Sequence, residues 1–163
     1  KGTRVTIATS EGPVTAFGVI ETTLGIINDD VNIPGILSPE MLSKYEKQIK
    51  NSTKKIYEKK GKVDFDNCHI AAGVMIASFQ ALPEPIFPHP FHSVLKTISN
   101  FSGRKPKAIA AENAFTLLGP SSYRMIFKLL TTFKRVITQG NGNGDFLALT
   151  CATCLCGTDT HDE

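Results

Sequence analysis

Four prolines fall within eight positions: Pro83, Pro85, Pro88 and Pro90. Each fixes φ and lacks an amide donor, so no uninterrupted helix and no central ladder strand crosses the stretch. It reads as a stiff, extended connection. Whatever packs must be assembled from shorter segments before and after it.

Before the prolines, Val5 and Ile7, then Val14, Ala16, Gly18 and Ile20, alternate with a period of two on either side of the turn-rich Ser10-Glu11-Gly12-Pro13, which predicts a β-hairpin. Residues 28–37 read as a loop. Ser38, Pro39 and Glu40 then form the clearest helix start: a capping hydroxyl, a proline at the first helical position and an acid where the dipole favours one. This helix is expected to run to about Lys60. Leu42, Tyr45, Ile49, Thr53 and Ile56 share its apolar stripe, with Lys44, Lys47, Lys50, Lys54 and Lys55 on the opposite side. Residues 67–82, with Asp64 or Asp66 as cap, show no clear period; Ala71, Ala72 and Ala77 favour a buried helix.

After the prolines, apolar spacing predicts helices over about 91–101, ended by Gly103, and 106–118, ended by Gly119-Pro120. A longer helix is expected from Ser121 or Ser122 to Gln139, burying Tyr123, Ile126, Phe127, Leu130, Phe133, Val136 and Ile137 and exposing Arg124, Lys128, Thr131 and Arg135. Residues 140–145 read as a flexible turn, and 146–156 as a strand with Leu147, Leu149 and Cys151 on one face. The expected fold class is therefore α+β: one helix-dominated globular domain over 1–157, with a small antiparallel sheet from the N-terminal hairpin and the C-terminal strand. A flexible acidic tail follows over 158–163. A length of 163 residues with 41% apolar and 20% charged side chains suits one such domain.

The formal net charge of +3 hides a partition. Residues 44–62 carry eight lysines against Glu46 and Glu58, a net of +6. Residues 96–135 carry eight basic side chains against Glu112, a net of +7, which leaves −10 for the remainder. Arg124, Lys128 and Arg135, with Arg104, Lys105 and Lys107 in the preceding connection, form a pattern that can lie along regularly spaced phosphates. Lys47, Lys50, Lys54 and Lys55 form a second basic surface, whose point-charge ammoniums attract anions without the planar fork of arginine.

Several classes are excluded or disfavoured. No run of about 18 apolar residues exists to span a bilayer. Residues 1–10 lack the basic, apolar, small layout of a signal peptide. Cys151, Cys154 and Cys156 crowd too closely for a disulfide framework, so a reducing, intracellular compartment, cytoplasmic or nuclear, is expected. The sequons at Asn51 and Asn100 would matter only in a secreted protein.

Candidate chemistry is sparse. Cys151, Cys154 and Cys156 with His161 offer metal-ligand types, but without the turn of a zinc knuckle they read as core thiols, and neither a metal nor a cofactor is expected. Cys68 and His69 are adjacent, which points their side chains apart. His89 and His92, near a helix start, are the remaining acid–base candidates. Residues 140–144 follow a helix and enter a strand, the reverse of the order that cradles phosphate. Tyr57 is the one aromatic placed near the lysine face for stacking on a base, and no known nucleic-acid motif is present.

The expected function is non-enzymatic binding of a polyanion, an RNA or DNA backbone, by a protein that self-associates as a structural or packaging component, for example a viral one. One alternative is a peripheral, matrix-type protein that binds anionic lipid or an acidic protein partner. The other is a small enzyme using His89, His92 or the Cys151–Cys156 cluster.

Overall fold

The computed structural model of the chain describes residues 5–7, 15–58, 63–65 and 67–157. The elements in chain order are β1 (Val5–Ile7), α1 (Ala16–Asp29), α2 (Pro39–Lys44), α3 (Glu46–Glu58), β2 (Val63–Phe65), α4 (Cys68–Gln80), α5 (His89–Ser99), α6 (Arg104–Phe115), a 3₁₀ turn (Thr116–Leu118), α7 (Pro120–Thr138) and α8 (Gly144–Cys156). Helix dominates, and the sheet expected from an N-terminal hairpin and a C-terminal strand is not present. Among the described residues the one extended pairing is a three-residue antiparallel ladder, Val5 opposite Phe65 and Ile7 opposite Val63.

Val5–Ile7 is extended, but the second arm of the expected hairpin and the expected C-terminal strand are both helices, and for the same reason. Thr15 accepts a hydrogen bond from the Gly18 amide at 3.2 Å and starts α1 where a strand was expected. Val19, Ile20, Thr23, Leu24, Ile26 and Ile27 are its buried residues, a helical spacing that the short alternation from Val14 to Ile20 masks. The tetrad Ser10 to Pro13 lies outside the described residues. At the other end Asn143 accepts from the Asp145 and Phe146 amides and starts α8. There Leu147, Thr150, Cys154 and Leu155 are buried, while Leu149, expected on the same face as Leu147, is 67% exposed.

The Ser38 start is as expected, with its hydroxyl accepting from the Met41 amide at 3.3 Å, but the helix breaks at Tyr45 into α2 and α3. The Tyr45 ring stacks on His69 of α4 with centroids 5.7 Å apart, which ties the break to the neighbouring helix. Before it, the loop is closed by Leu37, whose backbone sits in the left-handed region at φ 61° while its side chain is buried.

The core is centred on α4, which packs against α1, α3 and α8, while α7 packs against α1 and α8. This central position explains why residues 67–82 lack a period: Ala71, Ala72, Gly73, Val74 and Met75 are all buried, so no solvent face patterns the sequence. Asn67, not Asp64 or Asp66, is the cap, accepting from the His69 amide at 2.8 Å. Gly73 allows α3 to approach closely, since a Cβ there would lie 2.2 Å from Ile49 Cδ1. The proline stretch, expected to be extended, instead bends at residues 82–84 and 86–87 and enters α5 before Pro90; the Phe87 amide donates to the Leu155 carbonyl at 2.7 Å, and Ile86 and Phe87 are buried.

Candidate anion-binding face

The two basic windows stand on different parts of this framework. Helix α3 rests mainly on α4, whereas α7 rests on α1 and α8. On α3, Lys47, Lys50, Lys54 and Lys55 are exposed. Lys50 pairs with Glu46 at 2.6 Å and Lys54 with Glu58 at 3.6 Å, both one turn apart on the helix surface. The Lys50 ammonium holds the Glu46 carboxyl below its ordinary range. Tyr57 is half-buried beside Lys50 and Lys54, lining one cavity with them as its ring packs against the core, where burial raises its phenol pKa.

Along α7, the stripe of Arg124, Lys128 and Arg135 faces α1. Arg124 Nη2 and Lys128 Nζ each lie 3.1 Å from the same oxygen, Glu21 Oε1, and Arg135 donates to the Asn28 side-chain oxygen one helical heptad further along α1. Two cations therefore meet one carboxylate and a third meets a neutral amide, so these side chains together keep a positive excess. Between these rows lies a cleft of about 230 Å³, opened by Gly25, where a Cβ would meet nothing within 4 Å.

The adjacent side of α7 faces α6 across a groove of about 480 Å³, with Phe127 and Thr131 lining both the groove and the α1 cleft. The 3₁₀ turn reverses the chain, so Phe115 and Tyr123 close the connected end and Ala108 and Lys134 line the far end. Arg104 is on the same face of α6 as Ala108, Ala111 and Phe115, at spacings of four, three and four residues. Arg104, Lys105 and Lys107 thus gather, exposed, in the first turn of α6, toward the end of the groove that Lys134 lines. That turn holds no acid, and Gly103 provides no side-chain cap.

Phe127, Leu130 and Ile137, expected in the core, are instead 62%, 43% and 44% exposed. Helix α7 buries Met125, Ile126, Leu129, Thr132, Phe133 and Val136, so its core stripe is rotated from the one expected. Lys134 was the available signal. It lies one and two turns from Leu130 and Phe127 and three residues before Ile137, and a lysine inside an apolar arc marks that arc as open to water.

The acid–base and metal candidates are placed otherwise. His92 Nε2 donates to the Phe87 carbonyl at 3.1 Å, with the His89 ring against it edge-on at 5.2 Å, so this pair fastens the start of α5 to the proline stretch. Burial pushes the Cys151 thiol up to about 11 and the Cys154 thiol up to about 12, each helped by a neighbouring cysteine. Cys68 is likewise pushed up to about 11, by burial and then by the Asp30 charge. Such thiols stay protonated at neutral pH and are poor nucleophiles and ligands. Among the described residues no group of three or more His, Cys, Asp or Glu side chains is placed to hold a metal ion; His161 lies outside them. No helix among the described residues is long and apolar enough to cross a membrane. Compared with known proteins, the sequence matches no family model and no curated protein.

Proposed function

We propose that this chain is a non-enzymatic binding module that holds an anionic macromolecule against its α6–α7 face. The observation that carries the reading is the cluster of Arg104, Lys105, Lys107 and Lys134 at one end of the groove, none of which pairs with a carboxylate among the described residues. A helix N-terminus already carries about half a positive charge, so cations in its first turn oppose the dipole by roughly 0.3–1 kcal/mol each. An anionic partner relieves that repulsion and gains several charge-assisted contacts at once. Binding that rests on such contacts weakens steeply with salt.

A nucleic-acid backbone is the second reading, favoured by Phe127. This exposed ring sits on α7 within one or two turns of Arg124, Lys128 and Lys134, where a base can stack while phosphates meet the cations.

Fluorescence anisotropy with two probes, polyglutamate and a single-stranded RNA oligomer, tests both readings at low and moderate salt. The triple variant Arg104→Glu, Lys107→Glu, Lys134→Glu is expected to lose both probes. Phe127→Ala is expected to weaken RNA alone, by roughly tenfold, if a base stacks there. Absence of binding to either probe at low salt defeats the anionic reading.

A further inference from the structure

We infer that the groove between α6 and α7 receives an amphipathic helix of a protein partner, with acidic residues at the end of that helix that meets Arg104 and Lys134. The inference rests on the anionic-partner reading and names the partner's chemistry. Its basis is that the groove joins two features that neither a polyphosphate nor a bilayer uses together.

The first feature is an apolar floor shaped for a backbone. Ala108 and Ala111 present only methyl groups on the α6 side, and Ile126 and Leu130 line the α7 side. Small residues on one wall let a helix axis approach within the usual 8–10 Å of its neighbour, while larger ones on the other wall interdigitate with it. Helix α6 is itself lightly covered: of its residues only Ala114 is buried, and along its groove-facing row Phe115 packs on Phe87 and Phe91 while Ala111 is half-buried and Ala108 exposed. From Arg104 to Phe115 the groove wall runs about three turns, or roughly 16 Å, which matches about eleven residues of a partner helix. The partner's anchors are then apolar side chains at i, i+3 or i+4, and i+7.

The second feature is polarity along the groove. The connected end is closed by the rings of Phe115 and Tyr123; the far end carries Arg104, Lys105, Lys107 and Lys134. Glu112 is the one acid that lines it. A partner helix with carboxylates at one end is thereby held in a single direction, since the reversed orientation buries those carboxylates beside Phe115 and Tyr123 without a cation and leaves the basic side chains unmet. A phosphate backbone has nothing to place on Ala108, Ala111 and Leu130. A bilayer surface is flat on this scale and leaves the floor of a concave groove uncovered.

The test uses a designed fourteen-residue peptide with leucines at i, i+3, i+4 and i+7 and three glutamates at one end. A scrambled peptide of the same composition, a peptide with glutamine for glutamate, the RNA oligomer and anionic vesicles serve as the comparison probes. Ala111→Gln and Leu130→Gln fill or dry-dock the groove at half-buried or exposed positions, and circular dichroism checks that each keeps the native helix content. The patterned acidic peptide is expected to bind more tightly than the scrambled and the glutamine peptides, and either groove variant is expected to weaken it tenfold or more. Those variants are expected to leave binding of polyglutamate unchanged. Equal binding of patterned and scrambled peptides, or insensitivity to both groove variants, overturns the helix-in-groove inference while leaving the anionic reading intact. RNA or vesicle binding that is tighter than that of the peptide and weakened by the groove variants assigns the groove to that other partner and also overturns it. Unchanged binding of the peptide and of polyglutamate by the variant Arg104→Gln, Lys134→Gln removes the anionic reading itself.

Discussion

Lys128 Nζ lies 3.1 Å from Glu21 Oε1, and this contact across α1 and α7 occupies a cation that the sequence pattern assigned to a ligand. Arg124 shares the same oxygen. Both pairs are solvent-exposed, so their net worth to the fold is about 0–1 kcal/mol. Glu21→Gln is therefore expected to shift the urea midpoint little. It frees two cations on α7, so affinity for polyglutamate at low salt is expected to rise several-fold, with a steeper salt dependence. Equal affinity in wild type and variant would show that the α1 side of α7 takes no part in anion binding.

Gly73 is the point where α4 admits α3. An added Cβ would stand 2.2 Å from Ile49 Cδ1 and 2.6 Å from Ile49 Cγ1. Alanine gains about 1 kcal/mol of helix propensity over glycine, but overpacking of this kind costs about 1–3 kcal/mol. Gly73→Ala is thus expected to destabilise the protein by roughly 1 kcal/mol in chemical denaturation. In an Ile49→Ala background the clash is gone and only the propensity gain remains, so there the same substitution is expected to stabilise. A destabilising effect of equal size in both backgrounds contradicts the close approach.

His69 is buried against Tyr45, and its Nδ1 has no hydrogen-bond partner. Burial and then the nearby Lys44 charge hold its pKa below the ordinary 6.5. The unfolded chain consequently binds a proton at this site before the folded one does. Stability from this site is fully present above about pH 6.5 and falls as the pH drops toward the depressed folded value. His69→Phe keeps the ring stack and removes the titration. Its advantage over wild type in urea midpoint is expected to grow between pH 7 and pH 5; a constant difference across that range contradicts a depressed pKa.

Legibility in the sequence followed local chemistry and stopped where tertiary context took over. Ser38, Pro39 and Glu40 announce α2 because a cap, a fixed φ and a charge each act within one turn. The break at Tyr45 was not legible, since no glycine or proline marks it, and the ring it stacks on, His69, lies more than twenty residues away in the chain. Alternation misled at both ends: over five to seven residues, Val14 to Ile20 and Phe146 to Cys151 fit period two and period 3.6 nearly equally well. On α7 the basic residues were found, but their rotation was not. Arg124 and Lys128 define a polar stripe, yet the sequence alone does not tell which of the two flanking apolar rows a neighbour covers. The covered row contains Met125, Leu129, Thr132 and Val136, because α1 and α8 pack there, and the row with Phe127 and Leu130 is left facing α6 across open space.

The helical state of residues 144–156 has its own handle in Asn143. Its side-chain oxygen accepts from the Asp145 amide at 2.9 Å and the Phe146 amide at 3.2 Å, serving two donors that an α-helix start leaves unpaired. Asn143→Ala removes both bonds and is expected to cost about 1 kcal/mol in the chemical denaturation midpoint, whereas Asn143→Asp or Asn143→Ser retains an acceptor and most of that stability. The loss propagates because Leu147, Cys154 and Leu155 are buried and α8 packs on both α4 and α7. Hydrogen exchange of the Asp145 and Phe146 amides is expected to quicken in Asn143→Ala before that of amides in α4. Equal stability of the alanine and aspartate variants would contradict this capping role of Asn143.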